Sequence, residues 1–185
     1  MRLWQSVAVF AMTLAGMCAL SVPSSAATRS SVPSASHWLA DVSSAMSGGT
    51  AYLDRHVGGR PAIGLDIDNT SRQTHDAAGR ATPAVLAFEQ RAVRDGYTIV
   101  FVTGRLRAQR SSSVAQLRRA GYRVDRMCLR AHRSTSLATA KSRCRAHYAR
   151  QGLRIVADVG NHSTDFRGGH RGKVYRLPNY GGALS

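Results

Sequence analysis

Short apolar runs rich in β-branched and aromatic residues alternate with helical stretches along most of this chain. Pro61 to Ile67, Thr98 to Val102, Val124 to Leu129, Leu153 to Val159 and Lys173 to Leu177 read as strands, the second of them central. Thr82, as N-cap, and Pro83 open a helix that runs to about Asp95 and stops at Gly96. A further helix covers about Ser112 to Ala120 before Gly121, and another runs from Leu137 to Arg150 before Gly152. Upstream, His37 to His56 has apolar residues at helical spacing, interrupted by Gly48-Gly49, which reads as a broken amphipathic helix. Strands separated by helices require crossover connections. The expected fold is therefore α/β: a Rossmann-like, doubly wound, mainly parallel sheet of about five strands with helices on both faces. Chemistry in such sheets gathers at the carboxyl ends of the strands.

At 185 residues and 43% hydrophobic composition, the chain suffices for one compact domain and is too apolar for disorder throughout. Its 17 glycines show no period of three, and no heptads are sustained, which excludes collagen-like and coiled-coil chains. Charge is lopsided, with 26 Lys+Arg against 10 Asp+Glu and a formal net charge of +16. Two explanations stand side by side. The excess can serve a polyanionic partner such as nucleic acid or polyphosphate. It can also reflect an arginine-rich genomic composition, since the arginines are scattered rather than clustered.

The first 26 residues read as a secretory signal peptide. Arg2 supplies a positive start, Val7 to Val22 is apolar, and Ser24-Ser25-Ala26 offers a small-residue cleavage site before Ala27. Met17 before Cys18 argues against a lipoprotein signal. Residues 27–36, rich in Ser, Pro and Thr, are expected to be a flexible mature N-terminus, and residues 37–185 the functional domain. The exported chain keeps two cysteines, Cys128 at the end of a strand and Cys144 in the next helix. Export favours their oxidation. A bridge would close a loop of about 17 residues, worth about 3 kcal/mol by the chain-entropy argument. Seven dispersed histidines without CxxC spacing argue against zinc.

Polar residues mark the strand ends. Asp66-Ile67-Asp68-Asn69-Thr70 follows the first strand, Thr103-Gly104-Arg105 the second, and Gly160 to Asp165 the fourth; Lys141 lies on the helix before the fourth. Two aspartates two apart in extended chain point the same way. One can act as a nucleophile and the other as a general acid. Their repulsion calls for a cation, and Mg²⁺ takes hard oxygen ligands, Asp165 being a further candidate. Thr103 can hydrogen-bond a phosphoryl oxygen and Lys141 can balance charge. Each piece alone has a plain structural reading as a cap, a turn or a solvated residue. Together they form a set for phosphoryl transfer through an aspartyl-phosphate.

These runs resemble the haloacid dehalogenase-like (HAD) superfamily. The first motif is Ile63 to Thr70 (DxDx[TV] after a strand), the second Ile99 to Arg105, the third Lys141, and the fourth Val159 to Asp165. LDIDNT, FVTGR, VGNHSTDFRGG and YRLPNY are similar to the secreted acid phosphatase branch, subfamily IIIB, which includes class B bacterial enzymes and plant acid phosphatase or storage proteins. The resemblance covers about Trp38 to Ser185. It implies that Asp66 attacks phosphorus and that Asp68 protonates the leaving alcohol and then activates water. It also implies that Thr103 and Lys141 hold the phosphoryl group. Mg²⁺ would rest on Asp66, the Asp68 backbone carbonyl, Asn161 and Asp165.

Two departures stand out. Asn161 occupies a position where many relatives have Asp, removing a negative charge. Only about 12 residues, Ser71 to Thr82, separate the first motif from the next helix, and Thr135 to Lys141 leaves no room for a second insert, so the cap is minimal and the site open. Asp158, inside its strand, is not expected to reach the metal. The implied function is that of a secreted Mg²⁺-dependent phosphomonoesterase acting on small organic phosphates such as nucleoside monophosphates. The alternative is a catalytically weak or inactive basic exported protein that binds polyanions on the same scaffold.

Overall fold

The computed structural model describes residues 33–56, 58–75 and 79–184. The expected signal peptide, its expected cleavage site and residues 27–32 of the expected flexible segment lie outside them. Two short helices come first, α1 (Ala35–Ala45) and α2 (Gly49–Asp54). There follow β1 (Pro61–Leu65), α3 (Pro83–Arg94), β2 (Thr98–Leu106), α4 (Arg110–Arg119) and β3 (Arg126–Arg130). Then come α5 (Leu137–Arg150), β4 (Arg154–Gly160) and β5 (Lys173–Arg176). The helix break expected at Gly48-Gly49 is real: Gly48 adopts φ 71° between α1 and α2. The expected flexible stretch ends earlier than His37, because Ser34 caps α1 by accepting from the His37 amide at 3.3 Å.

The five strands form one parallel sheet in the order β3-β2-β1-β4-β5. The chain winds outward from β1 through β2 to β3, then crosses back to place β4 on the other side of β1. That reversal is the switch point where such sheets bind ligands. Period-two alternation along the strands serves two cores. Ile63, Leu65, Ile99 and Phe101 face a large cluster shared with Trp38, Val85, Phe88 and Leu117 from helices α1, α3 and α4. Ala62, Val100 and Val102 face a smaller cluster closed by Cys144 and Tyr148 of α5. Helix α5 thus covers the opposite face from the other helices and runs directly over the switch point.

Local sequence explains the α5 boundaries. Ser136 accepts from the Thr139 amide at 3.2 Å, and Gly152 at φ 78° ends the following turn. Thr82 stands at the N-cap of α3, but its buried hydroxyl makes no capping bond. Pro83 at the first helical position does the work instead. A disulfide joins Cys128 of β3 to Cys144 of α5, with Cα atoms 5.7 Å apart. No helix among the described residues is long and apolar enough to cross a membrane.

Candidate active site

The carboxyl ends of β1, β2 and β4 open into a cleft of about 740 Å³. Asp66 follows β1 directly, its amide donating to Val159 O at 3.0 Å, which ties the end of β1 to the end of β4. Its side chain is buried, and Lys141 of α5 donates to its Oδ1 at 2.7 Å. The same ammonium donates to Asp165 Oδ1. The three side chains form a carboxylate–ammonium–carboxylate bridge under the switch point. Burial pushes the Asp66 carboxyl up to about 7 against the opposing pull of Lys141, with the Asp165 charge adding to the rise. Burial alone would lower Lys141, but the Asp66 and Asp165 carboxylates outweigh it and hold the ammonium above its ordinary value.

Asp68 sits at the mouth of the cleft, its side chain 45% exposed. Arg105 grips it with two bonds, Nε to Oδ2 at 2.8 Å and Nη2 to Oδ1 at 2.6 Å. The hydrogen bond to Asp68 raises the already high pKa of Arg105. Arg105 is itself held by Ser113 Oγ at 3.0 Å and Gln116 Oε1 at 2.8 Å. The two aspartates therefore have opposite surroundings: one lies deep on a lysine, the other at the rim on an arginine. Thr103, buried at the end of β2, lines the same cleft, and its Oγ1 accepts from the Arg105 amide at 3.2 Å.

The turn after Asp68 is built on Asn69, which adopts φ 48°. Its Oδ1 accepts from the Thr74 amide at 3.1 Å, the Thr74 hydroxyl at 2.9 Å and the His75 amide at 2.8 Å. Its Nδ2 donates to Leu184 O at 2.8 Å, which draws residues 183–184 over the cleft. The described ends of the 71–82 segment are joined by bonds from Gln73 N to Arg80 O at 2.9 Å and from Thr82 N to Ser71 O at 3.0 Å.

The structure brings Asp66, Asp68, Thr103 and Lys141 together in one cleft. Asp165 joins them through the lysine. Both of its carboxyl oxygens accept hydrogen bonds, Oδ1 from Lys141 and Oδ2 from the His162 amide at 2.8 Å. Gly160 makes this possible, since a Cβ there would lie 2.3 Å from Asp165 Oδ2. Asn161 is buried beside them, and among the described residues its Oδ1 is reached only by a long 3.5 Å contact from Thr70 Oγ1. Asp158 lies inside β4, away from the cleft lining.

The sequence alone assigns no role to Arg105, Asn69 or Arg145. Arg145 is fully buried on α5, four residues after Lys141, and donates to Asp165 O at 2.6 Å, to Gly169 O at 3.2 Å and to Arg167 O. It fixes the loop that carries Asp165. Its i, i+4 spacing from Lys141 was the available signal, as was the placement of Arg105 right after a strand-end threonine.

Among the described residues no three His, Cys, Asp or Glu side chains converge as a metal cluster. The oxygen set nonetheless suits a hard cation. Asp66 engages Lys141 through Oδ1, and among the described residues Asn161 Oδ1 accepts only the long contact from Thr70 Oγ1. Burial raises the Asp66 carboxyl, and a cation beside it would favour its charged form. Mg²⁺ asks for a few such oxygens and keeps several waters. Asp66, Asn161, Asp165 and the Asp68 backbone carbonyl would hold it.

A doubly wound parallel sheet with a lysine-bridged acidic centre at its switch point places this chain among the HAD-like α/β proteins. More narrowly, the chain belongs to the HAD superfamily, subfamily IIIB (acid phosphatase), whose family pattern matches residues 71–183. That match starts downstream of Asp66 and Asp68, so these two stand on the geometry of the cleft. Two stem glycoproteins of Glycine max, of 28 kDa and 31 kDa, are each 32% identical over 105 residues, or 54% of this chain. The aligned part spans only 41% and 36% of those proteins. A class C acid phosphatase from Bacillus anthracis, solved with tungstate bound, superposes with a TM-score of 0.60 at 20% identity. The superposition covers 72% of this chain and 66% of that one. At that identity the likeness is one of fold.

Proposed function

We propose that this chain is an exported phosphomonoesterase that works through an aspartyl-phosphate on Asp66. The observation that carries this reading is the bond of 2.7 Å from Lys141 Nζ to Asp66 Oδ1 at the base of the open cleft, with Asp68 held at the rim by Arg105. The free oxygen of Asp66 attacks phosphorus while the bond from phosphorus to the ester oxygen breaks. Asp68 gives its proton to the departing alkoxide, then takes one from the water that hydrolyses the acyl phosphate. For Asp68 to carry that proton, its charge pair with Arg105 must open. The incoming phosphoryl oxygens offer Arg105 a substitute partner. Thr103 and Lys141 hold the remaining phosphoryl oxygens. Mg²⁺ held by these oxygens would supply charge stabilisation to the phosphoryl group and would favour ionised Asp66.

Subfamily membership supports a small phosphate ester as the substrate class. The short 71–82 loop supports weak selection beyond the phosphoryl group, with nucleoside monophosphates among the candidates. The Cys128–Cys144 bridge and the plant glycoprotein relatives support export. Part of the basic composition is used internally. Arg105 holds Asp68, Arg145 the loop after β4, Arg91 both Asp54 and Asp95, and Arg72 Gln116. The test is hydrolysis of p-nitrophenyl phosphate and of nucleoside monophosphates with and without EDTA. The reading expects both to be cleaved within about a hundredfold of each other and EDTA to abolish turnover, restored by Mg²⁺. Turnover unaffected by EDTA overturns the metal assignment. No hydrolysis of any ester in the presence of Mg²⁺ overturns the reading.

A further inference from the structure

We propose that the cavity between β3 and α5 is a second binding site, for a small organic anion with an apolar body. It is a space of about 380 Å³, within the range that single small ligands occupy. Its floor is apolar and includes the Cys128–Cys144 disulfide, Leu129 and Tyr148. Arg107 from the turn before α4, Arg110 from α4 and Arg143 from α5 line it, and no acidic residue among the described residues does. Arg110 is tied to Met127 O at 2.9 Å. Arg107 and Arg143 are exposed and have no hydrogen-bond or ion-pair partner among the described residues.

An apolar floor under unpaired guanidinium groups is complementary to one chemistry. A carboxylate, sulfonate or phosphate takes the arginine forks, and an aromatic or aliphatic body covers the disulfide and Tyr148. A pocket of this size suits a single small molecule, whereas an extended polyanion calls for a basic stripe along the surface. The cavity shares no lining residue with the catalytic cleft, although α5 forms a wall of both. Leu137 and Lys141 line the cleft, while Ala140, Arg143 and Cys144 line the cavity. The disulfide joins β3 to α5, so the two walls are fixed before a ligand arrives.

The test is a fluorescence titration of the full chain with 1-anilinonaphthalene-8-sulfonate. Saturable binding is expected, weakened at least tenfold by Arg107→Glu with Arg143→Glu and in the same direction by the milder Arg→Gln pair. Both residues are exposed, so circular dichroism should show the fold intact. The uncharged N-phenyl-1-naphthylamine should bind at least tenfold more weakly than the sulfonate. Arg105→Gln, in the catalytic cleft, should leave sulfonate binding within twofold. Four results overturn the proposal: no saturable binding, affinity indifferent to both arginine pairs, equal affinity for the uncharged probe, or a loss that follows Arg105→Gln.

Discussion

Lys141 Nζ lies 2.7 Å from Asp66 Oδ1 while donating its second bond to Asp165, so one buried ammonium serves two buried carboxyls. The sharing explains why burial still leaves Asp66 raised to about 7 despite a direct lysine partner. Removing the lysine with Lys141→Met should strand both carboxyls. Breaking a buried pair costs about 3–5 kcal/mol. Lys141, held above its ordinary value, keeps its charge from pH 5 to 8. Asp66 by contrast takes up a proton as pH falls through about 7, which removes its need for the lysine. Thermal unfolding of the variant and parent at pH 5 and pH 8 should therefore show the larger loss at pH 8. Equal losses at both would mean the bridge is not electrostatic in effect.

Arg105 is the residue that controls Asp68. Arg105→Lys keeps a positive charge but loses the two-bond grip on Asp68. Misplacing a catalytic group by about 1 Å costs about 10²-fold in rate. The loss should fall on kcat for alkyl phosphates, whose leaving groups need a proton. It should be smaller for p-nitrophenyl phosphate, whose leaving group needs little. Comparison of kcat for the two substrates in parent and variant checks this. Equal losses would show that Arg105 acts on the phosphoryl group rather than through Asp68.

Asp158 gives a pH signature independent of turnover. Burial inside β4 pushes its carboxyl up to about 7, although Arg145 and the Gly172 amide pull the other way, and its Oδ2 has no partner. Gly64 leaves it room, since a Cβ there would lie 2.1 Å from Asp158 Oδ1. The folded state then holds a proton between about pH 4 and 7 that the unfolded state has released. Stability contributed by this residue falls as pH rises through that window, by up to about 1.4 kcal/mol per pH unit for one proton. Asp158→Asn should flatten the slope of unfolding free energy against pH measured in urea. A slope unchanged from the parent would show that Asp158 is not protonated in the fold.

How far the sequence reveals this arrangement depends on whether a feature is local. The strands and α5 are legible because periodicity, Ser136 and Gly152 act within a few residues. Asp66, Asp68, Thr103 and Lys141 are legible because each stands at a strand end or on the helix crossing above it. The uses of Arg105, Asn69 and Arg145 are not, since each depends on a partner brought in by the tertiary fold. Arg105 meets Asp68 only when β2 pairs with β1, and Asn69 meets Leu184 across 115 positions of chain. Asp165 is a candidate metal ligand in sequence, but its bonds to Lys141 and to the His162 amide appear only in the folded chain.

The central claim is that Asp66 is the nucleophile, and steady-state turnover of p-nitrophenyl phosphate by Asp66→Asn with saturating Mg²⁺ tests it most directly. Asparagine keeps the shape of the side chain and a hydrogen-bonding oxygen but cannot form a stable acyl phosphate. It also removes an oxygen ligand for the cation, so the two losses fall together. The account predicts a fall of about 10⁴-fold or more, with the variant still folded by circular dichroism. A folded Asp66→Asn protein that retains even a tenth of the parent rate would contradict it.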